Sequence, residues 1–388
     1  MKISDYVESQ IKGLWGTDFD ENGIPVIKTN NLTYEGHIDY SDICKRNITR
    51  EHAKECYLKP GDLLIEKSGG TKTHSVGYVS YFEGDENKFV CNNFILALRL
   101  KNTINSKFLF YQIQFKYESN QFSDCFNKTT GIQNLKVKDY LAKEIKIYSP
   151  EEQEKIVKEL DTVRSTINKN KQILEKYDTL IKSRFIEMFG DNPIENGKWK
   201  VEKLGNLGLC KNGMNFSYED NGFEINCLGV GDFKDNAVIS NCEKLPVISL
   251  NEKPSEEYLL KDNDIVFVRS NGNKELVGRS VLVHPRVLTT FSGFCIRFRL
   301  STDSINHLFL LQFLKMPNTR KNMAGRGANI QNLNQQILSN LDIPVPQIEL
   351  QNDFASFVQQ IDKSKFAVQK ALEKAETLYK SLMQRYFA

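Results

Sequence analysis

Apolar residues return at every third or fourth position along two stretches of the chain. In the first, Ile156, Leu160, Val163, Ile167, Asn170, Leu174, Tyr177, Ile181, Arg184 and Met188 are spaced four, three, four, three without a break. In the second, Phe354, Val358, Ile361, Lys365, Val368, Leu372, Ala375, Tyr379, Leu382 and Tyr386 follow the same rule. Side chains three and four apart share one face of an α-helix, so each stretch predicts a long helix with a heptad seam. Ser149-Pro150-Glu151-Glu152 starts the first, with proline near the first helical position and two acids on the positive end of the dipole. Gly190-Asp191-Asn192-Pro193 stops it. Pro344-Val345-Pro346 precedes the second. Gln153 to Phe189 and Gln351 to Phe387 are 37 residues each, or about 55 Å of helix at about 1.5 Å per residue. Equal helices with matching seams would most simply pack against each other as a coiled coil; the other arrangement is that each helix lies on its own domain. The residues expected at the helix–helix seam are Ile156, Leu160, Val163, Ile167, Leu174 and Ile181 against Ile361, Val368, Leu372, Tyr379 and Leu382.

Ahead of each helix the apolar period shortens to that of strands. Val26 to Lys28, Leu63 to Ile65, Tyr78 to Phe82, Phe94 to Leu100 and Ile145 to Ile147 are separated by turn signals such as Asn22-Gly23, Pro60-Gly61 and Ser68-Gly69-Gly70. Phe108 to Tyr117 reads as a helix set among them.

The chain also repeats itself at an offset of about 200 residues. Asn22-Gly23 matches Asn221-Gly222; Gly61 to Ser68 matches Asn263 to Ser270; Val76-Gly77 matches Val277-Gly278; Phe94 to Leu100 matches Phe294 to Leu300. Ile132-Gln133-Asn134-Leu135 recurs unchanged as Ile330-Gln331-Asn332-Leu333, and Thr179-Leu180 with Lys182-Ser183 recurs as Thr377-Leu378 with Lys380-Ser381. Matches kept in order along the whole unit imply a tandem duplication. The expected fold is therefore α+β: two mixed α/β domains over 1–148 and 192–346, joined and separated by a central helix over 149–191 and a distal helix over 347–388.

Composition narrows the function. With 40% hydrophobic and 26% charged residues the chain is an ordinary globular one. No apolar run approaches a membrane span and the start lacks a secretory signal, so a cytoplasmic protein with no membrane partner is expected. Eight cysteines stand singly, without metal-ligand spacing, and read as reduced thiols. The formal net charge of +3 does not by itself imply a polyanionic partner.

Catalytic motifs are missing. Gly69-Gly70-Thr71-Lys72-Thr73 lacks the glycine that a phosphate loop needs before its lysine, and Gly229-Val230-Gly231 lacks a third glycine and a following helix. Asn192-Pro193-Ile194-Glu195 fails the adenine-methyltransferase signature at the second proline. Asp139 with Glu144 and Lys146 is the nearest approach to a nuclease centre, but the aligned Leu341-Asp342-Ile343-Pro344 has no such set. The five histidines form no ligand or triad spacing.

What is left is a set of polar loops rich in basic and amide residues. Lys67, Ser68, Lys72 and Thr73 follow one strand in the first copy; Arg269, Asn271 and Lys274 follow its counterpart in the second. Lys128, Thr130, Gln133 and Asn134 correspond to Arg326, Asn329 and Gln331, with Arg320 and Lys321 just upstream. Lysine and arginine suit phosphates, arginine suits guanine, and asparagine or glutamine suits adenine, so these residues are candidates for double-stranded DNA contact. Ordinary solvated turns have the same composition. The loops differ between copies while the framework strands agree, as expected if each domain reads a different short sequence. Helices of about 55 Å would span at most about 16 base pairs between the two readings.

These residues resemble the specificity subunit of type I restriction-modification systems. The resemblance covers essentially the whole chain and rests on Pro60-Gly61-Asp62-Leu63-Leu64 with Val76-Gly77 and Asn92-Asn93-Phe94, on Thr130 to Leu135, on Pro150 to Val157, and on Lys182 to Asp191. It implies two target-recognition domains, each reading half of a bipartite DNA target, held apart by two antiparallel helices. It also implies two methyltransferase subunits docked along those helices and a restriction/translocase subunit. S-adenosylmethionine, ATP and magnesium would belong to those partners, with no cofactor or metal bound by this chain and no catalysis of its own. The second copy departs from the pattern: Asn263 stands for the glycine before Asp264, and Pro346-Gln347-Ile348-Glu349-Leu350-Gln351 replaces the Pro-Glu-Glu-Gln run. Met1 lies close to the first domain, leaving little N-terminal arm. Two other functions stay open, a self-contained duplicated nuclease and a coiled-coil scaffold that binds only protein.

Overall fold

Leu63–Glu66 and Asp264–Val268 are buried at every position, as a strand covered on both faces must be. They are the central strands of two similar sheets. A computed structural model of the chain describes residues 1–71, 74–128, 132–217, 220–233, 238–324 and 332–388. It forms two compact units, Met1–Lys171 with Lys370–Ala388, and Gln172–Gln369.

The first unit contains β1 (Val7–Ile11), β2 (Leu63–Glu66), β3 (Ser68–Gly69), β4 (Val79–Tyr81) and β5 (Ile95–Leu100), then α1 (Ser106–Glu118), β6 (Phe126–Lys128), β7 (Gln133–Leu135), α2 (Val137–Leu141) and the start of α3 (Pro150–Phe189). Its main sheet runs β1-β5-β2-β4 and is antiparallel throughout. Period two along these strands sends Leu63, Ile65, Leu96 and Leu98 to one face, where they pack with Phe108, Leu109 and Tyr111 of α1. Leu64, Ile95 and Ala97 go to the other, where Ile27, Phe82 and Cys91 cover them. There lies a second sheet, ordered Cys44–Arg46, Phe19–Ile27, Val90–Cys91, with its last pairing parallel.

The second unit contains the rest of α3, then β8 (Lys200–Lys203), β9 (Gly208–Asn212), β10 (Val238–Ile239), β11 (Asp264–Val268), β12 (Ser280–Val283), β13 (Cys295–Leu300), α4 (His307–Leu314), α5 (Pro317–Ala324), α6 (Gln335–Ser339), β14 (Asp342–Val345) and the start of α7 (Ile348–Phe387). Its main sheet, β9-β13-β11-β12-β10, repeats the order of the first and adds β10 by a parallel pairing. Its second sheet, Val247–Leu250, Phe223–Leu228, Thr289–Phe291, again has one antiparallel and one parallel pairing. The duplication read from sequence thus returns in the shared order of these two sheets, with β10 an addition of the second unit.

One of the departures between copies has a physical account. Gly61 takes φ +96° and Asn263 takes φ +66° at the turn into the central strand. Asparagine is the residue that best tolerates the left-handed region after glycine, so the turn survives the exchange.

One expected strand is absent. Ile145-Lys146-Ile147 is not a strand in the first unit: Lys2 and Glu144 form a single bridge before Ile3–Tyr6 winds into a 3-10 helix. In the second unit the partner segment stays extended, and β8 pairs with β14 over four residues. The missing ladder in the first unit is a missing partner, not a property of Ile145 to Ile147.

Both long helices are 40 residues. Pro150 is the first helical residue of α3, and Gly190, at φ +95°, ends it by returning its N–H to the Ile186 carbonyl. Within each unit the two helices pack antiparallel. In the first, Tyr386 donates to Glu159 at 2.6 Å and Tyr379 lies in the same cluster as Leu160 and Ile156. In the second, Lys365 donates to Asp178 at 2.6 Å, while Phe185 meets Phe354 at 5.4 Å between ring centroids. Ile156, Leu160, Ile167, Ile181 and Leu372 are buried; Val163, Leu174, Ile361, Val368, Tyr379 and Leu382 are half-buried.

Several deeply buried helix residues fall outside the heptad seam. Phe185 and Phe189 are 0% and 1% exposed; Phe185 stacks on Phe309, and Phe189 meets Phe309 and Phe354 edge-on in the core of the second unit. Met383 and Phe387 do the same in the first unit, against Phe108 and Phe115. The C-terminal turns of both helices are therefore built into the domain cores. Replacing one such phenylalanine by alanine costs about 3–5 kcal/mol.

Candidate nucleic-acid interface

The polar loops are carried by a frame that is identical in both units. At its root, Arg99 Nε and Nη2 donate to Asp62 at 3.1 and 2.8 Å, and Arg299 does the same to Asp264 at 2.7 and 2.7 Å. The carboxylates also accept the Lys59 and Lys261 backbone N–H, each at 2.7 Å. Asp62 and Asp264 are 2% and 0% exposed, so the bidentate clamp is what lets a charge stay buried at the start of the central strand. Burial still pushes the Asp62 carboxyl up, opposed by its bonds to Arg99 and Lys59.

At the far end of that strand the two candidate loops meet. Leu135 N–H donates to the Lys67 carbonyl at 2.8 Å, and Leu333 N–H to the Arg269 carbonyl at 2.8 Å. In the first unit β7 lies between β3 and β6, pairing Asn134 with Ser68 and Gln133 with both Gly69 and Lys128. Ser68 Oγ donates to Asn134 Oδ1 at 2.6 Å, and Gln133 Oε1 accepts the Val76 N–H at 3.2 Å. In the second unit Ser270 bridges Asn332. Loops more than sixty residues apart in sequence thus form one surface in each copy, with Lys67 and Arg269 at corresponding places.

Beside this surface in the second unit lies a basic cleft of about 830 Å³. Lys274, Arg279, Lys315, Arg320, Lys321 and Lys365 line it against two acids, Asp178 and Glu275. Burial lowers Lys315 to about 8, helped by the nearby Lys365. Arg320 is pulled down by burial and by Arg279, and its guanidinium is anchored on the Glu275 carbonyl at 2.7 Å. A cleft with this excess of cations suits a phosphate backbone.

The side chains proposed from sequence separate into groups. Lys67, Ser68, Gln133, Asn134 and Arg269 are brought together with their counterparts as described. Lys274, Arg320 and Lys321 sit in the cleft. Asn271 accepts the Asn273 N–H at 2.8 Å and so shapes its own turn. Lys128 is the last residue of β6. Lys72, Thr73, Thr130, Arg326, Asn329 and Gln331 lie outside the described residues. Sequence reading missed Arg279 and placed Lys365 in the seam, because residues 279, 315 and 365 converge only in the folded unit.

The nuclease set gains nothing from the fold. Lys146 Nζ donates to the Ala388 carbonyl, and the Lys146 N–H donates to Gln112 Oε1 at 2.7 Å. Among the described residues no three His, Cys, Asp or Glu side chains gather as metal ligands, and no helix is long and apolar enough to cross a membrane. The eight cysteines are free and six are buried.

Comparison with known proteins agrees with this duplicated frame. The sequence pattern of the family described as type I restriction modification DNA specificity domain matches residues 3–176 and again 196–376. The type I restriction enzyme StySPI specificity subunit of Salmonella potsdam is 26% identical, over 94% of this chain and 81% of its own length. The EcoKI specificity subunit of Escherichia coli is 23% identical, over 94% of this chain and 82% of its own. Among solved structures, the S subunit of a type I restriction-modification system from M. genitalium shares the fold with a TM-score of 0.63 at 16% identity, covering 100% of this chain and 95% of that one. With both halves matched, the chain belongs to the family of type I restriction modification DNA specificity domains.

Proposed function

We propose that this chain is the DNA-recognition subunit of a type I restriction-modification complex, each unit reading one half of a split DNA target. The observation that carries the reading is the backbone pairing repeated in both units, Leu135 to Lys67 and Leu333 to Arg269, which joins a shared Gln-Asn-Leu run to loops that differ, Lys67-Ser68-Gly69-Gly70 in one copy and Arg269-Ser270-Asn271-Gly272 in the other. A fixed frame with variable loops is what two different half-sites require. The basic cleft supplies sequence-independent attraction to phosphates in the second unit. In this reading the subunit is noncatalytic and acts in the cytoplasm. Two methyltransferase subunits modify adenine in each half, and a restriction/translocase subunit cleaves. S-adenosylmethionine, ATP and magnesium are held by those partners.

The test is sequencing of adenine methylation in host DNA with and without the gene, in cells where the partner subunits are active. Loss of one split motif supports the reading and supplies the target. An unchanged methylome there removes it. Replacing Arg326, Asn329 and Gln331 by alanine is expected to relax recognition of one half only, by about 1–3 kcal/mol per lost base contact; a protein-only scaffold would leave the pattern intact.

A further inference from the structure

Two phenylalanines stand exposed at corresponding places in the two units, and both are held there by a rigid turn. Phe94 is 57% exposed and Phe294 is 62% exposed. Each is the third residue of a tight turn. Ile95 N–H donates to the Asn92 carbonyl and Cys295 N–H to the Ser292 carbonyl, at 3.2 and 2.8 Å. The Phe94 N–H is taken by Asn92 Oδ1 at 3.2 Å and that of Phe294 by Ser292 Oγ at 3.3 Å.

The turns are braced from two further sides. The Phe94 carbonyl accepts the N–H of Lys67 and of Ser68, at 2.8 and 3.2 Å; the Phe294 carbonyl accepts those of Arg269 and Ser270, at 2.8 and 3.4 Å. Behind them, Gly13 and Gly213 approach so closely that an added Cβ would lie 2.4 Å from the Asn92 carbonyl oxygen and 2.1 Å from that of Ser292. Arg269 Nη1 also reaches the Gly293 carbonyl, at 3.3 Å. The backbone that carries each exposed ring is thus fixed by several hydrogen bonds, in the same way in both units.

We infer that Phe94 and Phe294 are apolar wedges that press against the bases of duplex DNA, one in each half-site. The partner is identified by what surrounds the rings. Each carbonyl is bonded to the backbone of the basic residue that opens the candidate DNA loop, and neither turn contains an acid. Aromatic and aliphatic wedges beside phosphate-binding cations are a general means of unstacking or gripping a base step. This inference rests on the DNA-recognition reading.

The experiment uses the full chain with its methyltransferase subunits, and duplexes selected by the wild-type complex from a random pool. Affinity is then measured across a salt series for Phe94→Ala, Phe294→Ala and the corresponding leucine variants. The expected result is a loss of about tenfold for each alanine variant, with leucine retaining most of the binding. The slope of log affinity against log salt stays unchanged, because no phosphate contact is removed. Thermal unfolding is expected to be unmoved, since the rings are exposed. Unchanged affinity in both alanine variants overturns the inference while leaving the DNA-recognition reading standing. So does intact DNA binding with loss of the methyltransferase subunit, which would give the turns to a protein partner. If the wild-type complex selects no duplex, the DNA-recognition reading falls and this inference with it.

Discussion

Arg299 grips Asp264 through two parallel hydrogen bonds of 2.7 Å, and with a third N–H holds the Leu259 carbonyl at 3.0 Å. Asp264 is fully buried. Arg299→Ala strands the carboxylate with the Lys261 N–H as its one remaining partner among the described residues, and is expected to destabilise the second unit by about 3–5 kcal/mol. The double variant Asp264→Ala/Arg299→Ala should cost clearly less than the sum of the single changes. Urea denaturation measures both; additive losses would mean that the pair is not coupled.

Gln351 is equally central and carries no charge. Its Oε1 accepts the Asn306 N–H at 2.8 Å, and its Nε2 donates to the Pro346 and Ser304 carbonyls at 2.7 and 3.2 Å. The first unit has the same device, Gln153 between Asn105 N–H and the Tyr148 carbonyl. Each glutamine ties the start of a long helix to the capping asparagine of α1 or α4. Gln351→Leu fills the space but leaves these backbone groups unsatisfied, an expected cost of about 2–3 kcal/mol. Gln351→Glu should recover part of the loss at low pH, where a protonated carboxyl again donates. Equal stability of the leucine variant and the wild type in thermal unfolding would refute the assignment.

The contrast between these two devices and the rest of the fold says what a sequence can reveal. The long helices were legible because a seam repeats locally every seven residues, and the strand frame because Gly61 to Ser68 and Asn263 to Ser270 can be laid side by side. Asp264 and Arg299 were not legible as partners, since nothing local links positions 35 residues apart. Phe185 and Phe189 were hidden for a different reason: they point into a domain whose residues come later in the sequence, so the heptad pattern alone sends them to solvent. The loop surface was half legible. Its residue types were apparent, but its assembly depends on hydrogen bonds such as Leu135 N–H to the Lys67 carbonyl.

Glu66 predicts a pH dependence. Burial holds its carboxyl above the usual range, against the hydrogen bond from the Gly70 N–H. Oε2 is buried with no partner among the described residues. The folded chain thus keeps a proton on Glu66 to higher pH than the unfolded chain does. That contribution is full below the unfolded value and is lost as pH rises through the folded one. Glu66→Gln cannot lose the proton, and its Oε1 still accepts from Gly70. The variant is expected to unfold at a higher temperature than wild type at neutral pH, with the gap closing in acid. Calorimetry over that range decides it; a gap that widens in acid would have the wrong sign.

The basic cleft makes the last prediction, one that separates affinity from specificity. Lys274 and Lys321 are exposed in it. If the cleft follows the DNA backbone, each lysine that meets a phosphate releases about one counterion. Lys321→Ala and Lys274→Ala should then weaken binding of the complex to every duplex alike, and each should lessen the slope of log affinity against log salt by about 0.9. The selected sequence should not change. Asn134→Ala, on the loop surface of the first unit, should do the reverse, altering which half-site is preferred while leaving the salt slope in place. A titration series on selected and scrambled duplexes reads both effects, and lysine variants that shift sequence preference without moving the slope would place base readout in the cleft instead.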